Sequence, residues 1–345
     1  MSEGNAMTRD AREQVLERIR QDTRFVLATH ESVDGDALGS LVGMQGLLSA
    51  LGKDSLMFMA PSELPLPDEY RWFELDHLIQ VAPPDIEERT VVFLDCGNID
   101  RNSAEVLRDG AHLLNVDHHH DNTRFGTLDY VVADASCTAE IIWDLMHGLG
   151  VTPTPAVAEA LYVGLVTDTG RFMYENVTPR AHQMAAELIA AGVDVQSIYR
   201  RLYEDLPFAK LTLLGRALGQ VQRYDEGELT LAALSAEDFR WAQAKDSYSE
   251  GIIDHLRAVK GTKVAALVRE LTAPDRRGER KVSLRATDDD VDVSAIARAQ
   301  GGGGHRRAAG LTTSLELDEL IEFLRQEIAA QLHPARDGYV APAPA

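Results

Sequence analysis

Four short segments of this chain each place acidic or imidazole side chains directly after an apolar run. They are HESVDGD at His30–Asp36, VVFLDCG at Val91–Gly97, VDHHHDN at Val116–Asn122 and GLVTDTG at Gly164–Gly170. An Asp followed by three histidines is costly to tolerate near a core unless something holds it. Imidazole together with carboxylate suits Mn, Zn, Fe or Ni. His30, Asp34 and Asp36 have H-x3-D-x-D spacing, and Gly35 permits a tight loop, so all three can point into one cavity. Asp95 and Asp168 add carboxylates and His118 adds a nitrogen. These six ligands, four of them carboxylates, are more than one ion requires. They match a centre of two divalent ions about 3.5–4 Å apart that clamps a phosphoryl group. Without cations the four carboxylates would repel one another and take up protons. Any single Asp here could instead cap a following helix, Asp36 among them; the metal reading rests on the joint pattern.

Such residues converge only if the elements before them lie side by side. Phe25–Thr29, Val91–Leu94 and Leu113–Val116 read as buried strands of a parallel sheet, with helical stretches between them. Ligands of open α/β sheets bind beyond the carboxyl ends of the strands. His30, Asp34, Asp36, Asp95 and Asp117–His119 all fall at such ends, and Asp168 follows the helical run Leu161–Val166. Ser55–Met59 reads as a further strand. Helices are expected over Arg9–Gln21, Ala37–Leu51, Thr138–Gly148, Ala156–Val166 and Pro179–Ala191. The glycines of Ala37–Leu51 suggest close packing on the sheet.

This βα alternation defines a first domain over residues 9–192, and Val193–Gln220 reads as a helical linker. A second domain over 221–332 has strands at Leu229–Leu234, Lys263–Glu270 and Lys281–Arg285, and helices at Gly251–Val259 and Leu317–Gln331. Pro274–Gly278 fits a hairpin turn between the last two strands. In GGGGHRRAAG (Gly301–Gly310) the glycines bare backbone N–H groups that can approach a phosphate, with Arg306 and Arg307 adding charge beside them. The Pro- and Ala-rich tail 333–345 reads as disordered, and Met1 or Met7 can be the start.

Composition narrows the class. The 345 residues suggest two domains, and 45% hydrophobic content supplies their cores. A net charge of −21 counts against a protein that coats long nucleic acid, yet a few cations can neutralise a small nucleotide locally. No apolar run is long enough to span a bilayer, and no signal segment opens the chain. The only cysteines, Cys96 and Cys137, form no framework of pairs, which indicates the reducing cytoplasm. Cys96 beside Asp95 reads as a small apolar residue, with a thiolate ligand as the alternative. His77, His112, His147, His182, His255 and His333 stand outside the cluster and read as surface or packing residues.

HESVDGDALGS, VVFLDCGNIDR, VDHHHDN and GLVTDTGRF resemble the four successive motifs of the DHH phosphoesterase superfamily. GGGGHRRAAG, preceded by KVSLRA and DVSAIARAQ, resembles its DHHA1 C-terminal domain, and the likeness runs in order from Arg24 to Leu311. The layout is most similar to the NrnA-like group, oligoribonucleases that double as 3′-phosphoadenosine-5′-phosphate phosphatases. The resemblance implies an α/β chain: a Rossmann-like parallel-sheet DHH domain and a smaller α/β DHHA1 domain. It implies two divalent ions, Mn2+ first, with Mg2+ or Co2+ as substitutes. His30, Asp34 and Asp95 would hold one; Asp36, Asp95, His118 and Asp168 would hold the other, with Asp95 bridging. His119 would face the scissile phosphate and Asp117 would orient the histidines. Arg101, Arg285, Gly302, Gly303, Gly304 and His305 would bind substrate. Val33 stands where the family usually has Pro, which should loosen the loop, and Arg306 and Arg307 replace smaller residues.

The expected activity is hydrolysis of short oligoribonucleotides of a few residues to mononucleotides by metal-activated water, with 3′-phosphoadenosine-5′-phosphate and linear or cyclic dinucleotides as further substrates. Expected partners are such small nucleotides and a second copy of the chain, with no long duplex and no membrane. The alternatives are an inorganic pyrophosphatase or exopolyphosphatase and, from another class, a non-catalytic nucleotide sensor.

Overall fold

The apolar runs that end in acidic residues are neighbouring parallel strands. A computed structural model describes residues 3–333, except Ser32, Ser103, Thr272, Pro274 and Asp275 and the side chains of residues 3–8 and His305. The chain divides into two units between Asp205 and Leu206. The first opens with α1 (Glu3–Gln21) and holds β1 (Arg24–Ala28), β2 (Asp54–Phe58), β3 (Leu78–Ile79), β4 (Thr90–Leu94), β5 (His112–Asp117) and β6 (Leu128–Val131). All pairings are parallel, in the order β3-β2-β1-β4-β5-β6. The order reverses between β1 and β4, the switch point beyond which ligands of such sheets bind. His30 follows β1 and Asp95 follows β4. Val91–Leu94 are buried on both faces, as a central parallel strand must be.

Helices α2 (Gly35–Ala50), α3 (Thr138–Leu149), α4 (Pro155–Asp168) and α5 (Pro179–Ala190) share a core with α1 on one face of the sheet. A smaller cluster of Val26, Ala28, Phe58, Val91, Phe93 and Leu107 fills the other. The glycines of α2 meet α4 rather than the sheet: a Cβ on Gly39 would lie 2.4 Å from the Ala160 carbonyl oxygen. Likewise a Cβ on Gly164 would lie 2.8 Å from Asp36 Oδ1, so these bare positions let two helices and a buried carboxylate crowd together. Val33, where the family usually has Pro, is 5% exposed and packs into the core.

Boundaries differ from the sequence reading in instructive places. β3 and β6 escape it because they are only two and four residues long. α4 runs through Asp168, which is its last helical residue rather than a loop residue beyond it. Residues 193–220 are not one helix: α6 (Val195–Tyr199) passes into a π-turn at Arg200–Glu204, and α7 starts at Phe208. Pro207, with no N–H to donate, stands at the break.

The second unit contains α7 (Phe208–Leu218), β7 (Gln222–Tyr224), β8 (Leu229–Leu234), α8 (Ala236–Ala242), α9 (Ile252–Arg257), β9 (Val264–Glu270), β10 (Arg280–Ala286), α10 (Val293–Arg298), β11 (Gly303–His305), β12 (Ala308–Thr313) and α11 (Leu317–Leu332). Its sheet runs β11-β12-β10-β9-β8-β7, parallel only between β8 and β9. One face packs on α10 and α11, the other on α7, α8 and α9. Both units are therefore α/β. The glycine-rich run is not a bare loop, since Gly303–His305 pairs with Ala308–Gly310 as an edge strand. The expected hairpin turn at Pro274–Gly278 falls partly outside the described residues, as do the tail beyond His333 and Met1. His333 itself closes α11 and sits 3.2 Å from Glu228. Among the described residues no helix is long and apolar enough to cross a membrane, and both cysteines are free and buried.

Candidate active site

The loop after β1 delivers the first candidate ligands. Asp34, and not Asp36, caps α2: its Oδ1 accepts from the N–H groups of Asp36 (3.1 Å) and Ala37 (3.0 Å). The other oxygen faces His30, with Oδ2 3.9 Å from Nε2. His30 is buried and donates through Nδ1 to the Glu31 carbonyl (2.7 Å), because a carbonyl can only accept. Nε2 is thereby aimed at Asp95, 3.4 Å from Oδ2. Two contacts stitch the loops after β1 and β4: Glu31 N donates to the Arg101 carbonyl (2.8 Å), and Asn102 Nδ2 to the Thr29 carbonyl (2.7 Å). The Arg101 side chain is exposed.

Asp95 is at the centre. Its backbone lies in the left-handed region at φ 55, a conformation Asp tolerates better than most residues and one that clusters at functional sites. Its Oδ1 accepts from Thr138 Oγ1 (3.1 Å) and lies 3.6 Å from both His118 Nε2 and His119 Nδ1. His118 turns Nδ1 toward the Ala135 carbonyl (3.4 Å), which leaves Nε2 toward Asp95 and toward Asp168 Oδ2 at 3.7 Å. Asp36 is fully buried beside them. Its Oδ2 accepts from Thr138 N (2.7 Å) and its Oδ1 from Ala139 N (3.0 Å), so Asp36 caps α3 from across the fold. Asp168 is held by Asn176 Nδ2 at 3.2 Å.

Asp117 is completely buried and its two oxygens are both engaged. Oδ1 accepts from His119 Nδ1 (2.7 Å) and His118 N (2.8 Å), and Oδ2 from Asn122 Nδ2 (2.5 Å). Thus Asp117 orients the His119 ring and the backbone, rather than the ring, of His118.

The electrostatics are those of a crowded acid cluster. Burial, with Asp95 and Asp168 nearby, pushes the Asp36 carboxyl far above the usual range, and burial pushes Asp168 up to about 7. Asp95 goes the other way: burial opposes its charge, but the His30 hydrogen bond and three imidazoles outweigh it. His118 is raised to about 9, because Asp168, Asp95 and Asp36 overcome its burial. A cation would relieve this arrangement, in which some carboxyls must hold protons to coexist. His30 Nε2, Asp34 and Asp95 bring ligand atoms within 4.8 Å of one another, as do Asp36, His118 and Asp168. Asp95, Asp117, His118 and His119 also converge, but Asp117 Oδ1 and His119 Nδ1 are already bonded to each other and Asp117 Oδ2 to Asn122. Two of the histidines present Nε2 to the carboxylates while Nδ1 bonds a backbone carbonyl, the pairing usual behind metal-bound imidazole. The donor set therefore fits divalent cations.

Cys96 is no ligand. Its thiol is buried, donates to the Asn98 carbonyl (3.1 Å) and is pushed by burial up to about 12. Sequence reasoning missed Thr138, Asn122 and Asn176, although Asn122 stands inside the DHHHDN run and Thr138 opens a helix; hydroxyl and amide groups carry no signature of their own.

In the second unit Arg285 lies on β10, half-buried, its guanidinium bonded to the Leu284 carbonyl (3.0 Å). Gly302 and Gly304 are dictated by packing, since a Cβ would lie 2.3 Å from Gly310 O and 2.5 Å from Ala308 O. Gly303 faces open space, so its bare backbone is accessible. Only the backbone of His305 is described. Arg306 bonds the Asp289 carbonyl (2.8 Å) and lies 3.6 Å from its carboxylate, while Arg307 forms a bidentate pair with that carboxylate (2.9 Å), so one acid offsets part of the charge the two arginines add.

Two family models match in order: the DHH family, N-terminal domain, over residues 24–165, and the DHHA1 domain over residues 241–330. The chain is 33% identical over 319 residues, 91% of each sequence, to the bifunctional oligoribonuclease and PAP phosphatase NrnA of Thermus thermophilus. It is 26% identical over 294 residues to the protein of that name from Bacillus subtilis, covering 83% of this chain and 88% of the other. The fold matches an exopolyphosphatase-related protein from Bacteroides fragilis with a TM-score of 0.84, at 22% identity over 94% and 97% of the two chains. A manganese-bound RecJ from Thermus thermophilus matches at 0.54, with 15% identity over 98% of this chain and 55% of the other. With its motifs, fold and clustered acids in agreement, the chain belongs to the DHH/DHHA1 family of phosphoesterases, hydrolases of phosphoric ester bonds.

Proposed function

We propose that the chain is a divalent-metal-dependent phosphodiesterase that degrades short oligoribonucleotides to mononucleotides and also removes phosphate from 3′-phosphoadenosine-5′-phosphate. The observation that carries the reading is the convergence of His30, Asp34 and Asp95, and of Asp36, His118 and Asp168, each within 4.8 Å. In this reading they hold two cations, Mn2+ by preference with Mg2+ or Co2+ as substitutes, and Asp95 serves both. The substrates follow from the names of the relatives, and linear or cyclic dinucleotides belong to the same class.

The cations supply charge at the phosphoryl oxygens and an acidified water. The rest is done by side chains. Asp117 accepts the Nδ1 proton of His119, so Nε2 is the nitrogen that meets the phosphate, donating to its oxygens when the ring is protonated. Burial works against the protonated His119 ring, but the Asp117 hydrogen bond and the charges of Asp95 and Asp117 outweigh it and raise its pKa, which favours that donor form. The candidates for binding the remaining phosphate and sugar groups are the exposed Arg101 in the first unit and, in the second, Arg285, Gly302, Gly303, Gly304 and His305. The acidic surface favours short substrates, because each phosphate of a long strand beyond the local cations meets a chain of net charge −21.

The test is hydrolysis by metal-free protein resupplied with single metals. With Mn2+, a 5′-phosphorylated dinucleotide is cut to mononucleotides and a long single strand far more slowly. Phosphate release from pyrophosphate or polyphosphate with the dinucleotide untouched would overturn the reading, and so would equal rates on short and long strands.

A further inference from the structure

The face of β5 turned away from the helices carries an amide that packing does not call for. Asn115 is 0% exposed, on the same face as Leu113 and Asp117, among apolar side chains. A buried amide costs free energy unless its hydrogen bonds are made. Its Nδ2 donates to Asn122 Oδ1 (2.8 Å) and to Asp129 Oδ1 (3.1 Å). Asn122 Nδ2 donates to Asp117 Oδ2 (2.5 Å), with the Cys96 carbonyl and Asn115 Oδ1 each at 3.4 Å. Asp117 Oδ1 then accepts from His119 Nδ1. At the far end Asp129 Oδ1 also accepts from Gly126 N (3.0 Å), on the turn that leads into β6.

These bonds form one row, Asp129–Asn115–Asn122–Asp117–His119. Each member restricts the next. Asp129 and Asn122 together fix the plane of the Asn115 amide. Asn115, with Arg124 N donating to the same Oδ1 (2.7 Å), fixes which way Asn122 points its Nδ2. Asn122 thereby fixes which oxygen of Asp117 is left for the histidine. We infer that Asn122 and Asn115 are positioning residues for His119, acting through Asp117, and that the ring is held from β6 as well as from its own loop.

The inference uses the hydrolysis assay of the proposed function, and a double-mutant cycle separates the two. Dinucleotide hydrolysis with Mn2+ is measured for the wild type, Asn122→Ala, His119→Ala and the pair. Asn122→Ala is expected to lower kcat about 10–100-fold with KM and bound-metal stoichiometry unchanged. In the His119→Ala background it should cost nothing further, because its effect passes through that ring. Asn115→Ser, one step more remote, should lose about 10-fold and keeps the test readable if Asn122→Ala does not fold. Equal losses in both backgrounds, or a loss confined to KM, would show that the row only shapes the loop. An independent readout is the low-field proton of the His119–Asp117 bond in Mg2+-loaded protein. It should shift in both Asn variants even if no phosphoester is turned over; an unchanged resonance refutes the row.

Discussion

Taken one side chain at a time, the centre shows how much chemistry rests on which atom faces which. Asp117 is acceptor-only when ionised, and its pKa is held down although burial opposes it, chiefly by the His119 bond. Replacing it with Asn keeps the shape but lets the ring present the wrong nitrogen. Asp117→Asn should therefore lower kcat by about 10²–10⁴ with little change in metal content, a pairing that kinetics and metal analysis check together. The cysteines give the opposite forecast. Cys96 and Cys137 are buried and their thiols are raised by burial, so neither should react with a thiol reagent at neutral pH until the protein unfolds. The clustered carboxylates and imidazoles were readable from sequence because their types are unusual after apolar runs. The roles of Asp34 and Asp36 were not. Which of two acids caps the nearby helix depends on where α3 arrives, 102 residues later.

Among the elements, two helices decide whether the acids can meet. The N-terminus of α3 binds both oxygens of Asp36 through its N–H groups, and its first residue gives a hydroxyl to Asp95. Thr138→Val removes that hydroxyl at constant volume. It should weaken divalent-metal binding about 10-fold, read by titration calorimetry on metal-free protein. Gly164 lets α4 approach α2; Gly164→Ala would press on Asp36 and Ala139. Overpacking of that kind costs about 1–3 kcal/mol, so its melting temperature should fall by roughly 2–10 °C and its metal affinity with it. The main strands and helices were visible in the alternation of apolar runs and breaks. The helix–helix use of the α2 glycines was not, since a bare position looks the same whether a sheet or a helix lies over it. Nor were β11 and β12, whose residues are mostly small and show no alternation of apolar and polar side chains.

For the molecule as a whole, the acid cluster couples folding to protons and metal. Asp168, raised to about 7, and Asp36, also raised, hold protons in the folded chain that they release when unfolded. That contribution is present below the ordinary carboxylate range and is lost as pH climbs through about 7. His118, raised to about 9, adds stability below the ordinary imidazole range that is lost as pH passes about 9. Asp95 and Asp117, held low, act oppositely but only in acid, where their protonation costs stability as pH falls. Metal-free protein should therefore melt at progressively lower temperature from about pH 4 to pH 9. The gain in melting temperature on adding Mn2+ should grow over the same interval, because ligands must shed protons to bind. A melting temperature without metal that rises across neutral pH would contradict this.

The backbone bend at Asp95 has one more consequence. At φ 55, Gly, Asn and Asp sit at small cost, whereas most other side chains are strained there. Inheritance at this position is thus channelled: of the tolerated exchanges, Asn keeps both the corner and the outline of the side chain while discarding the negative charge. A descendant carrying that one change would keep its architecture but lose the negative charge that, in the proposed reading, serves both cations, and its hydrolysis with it.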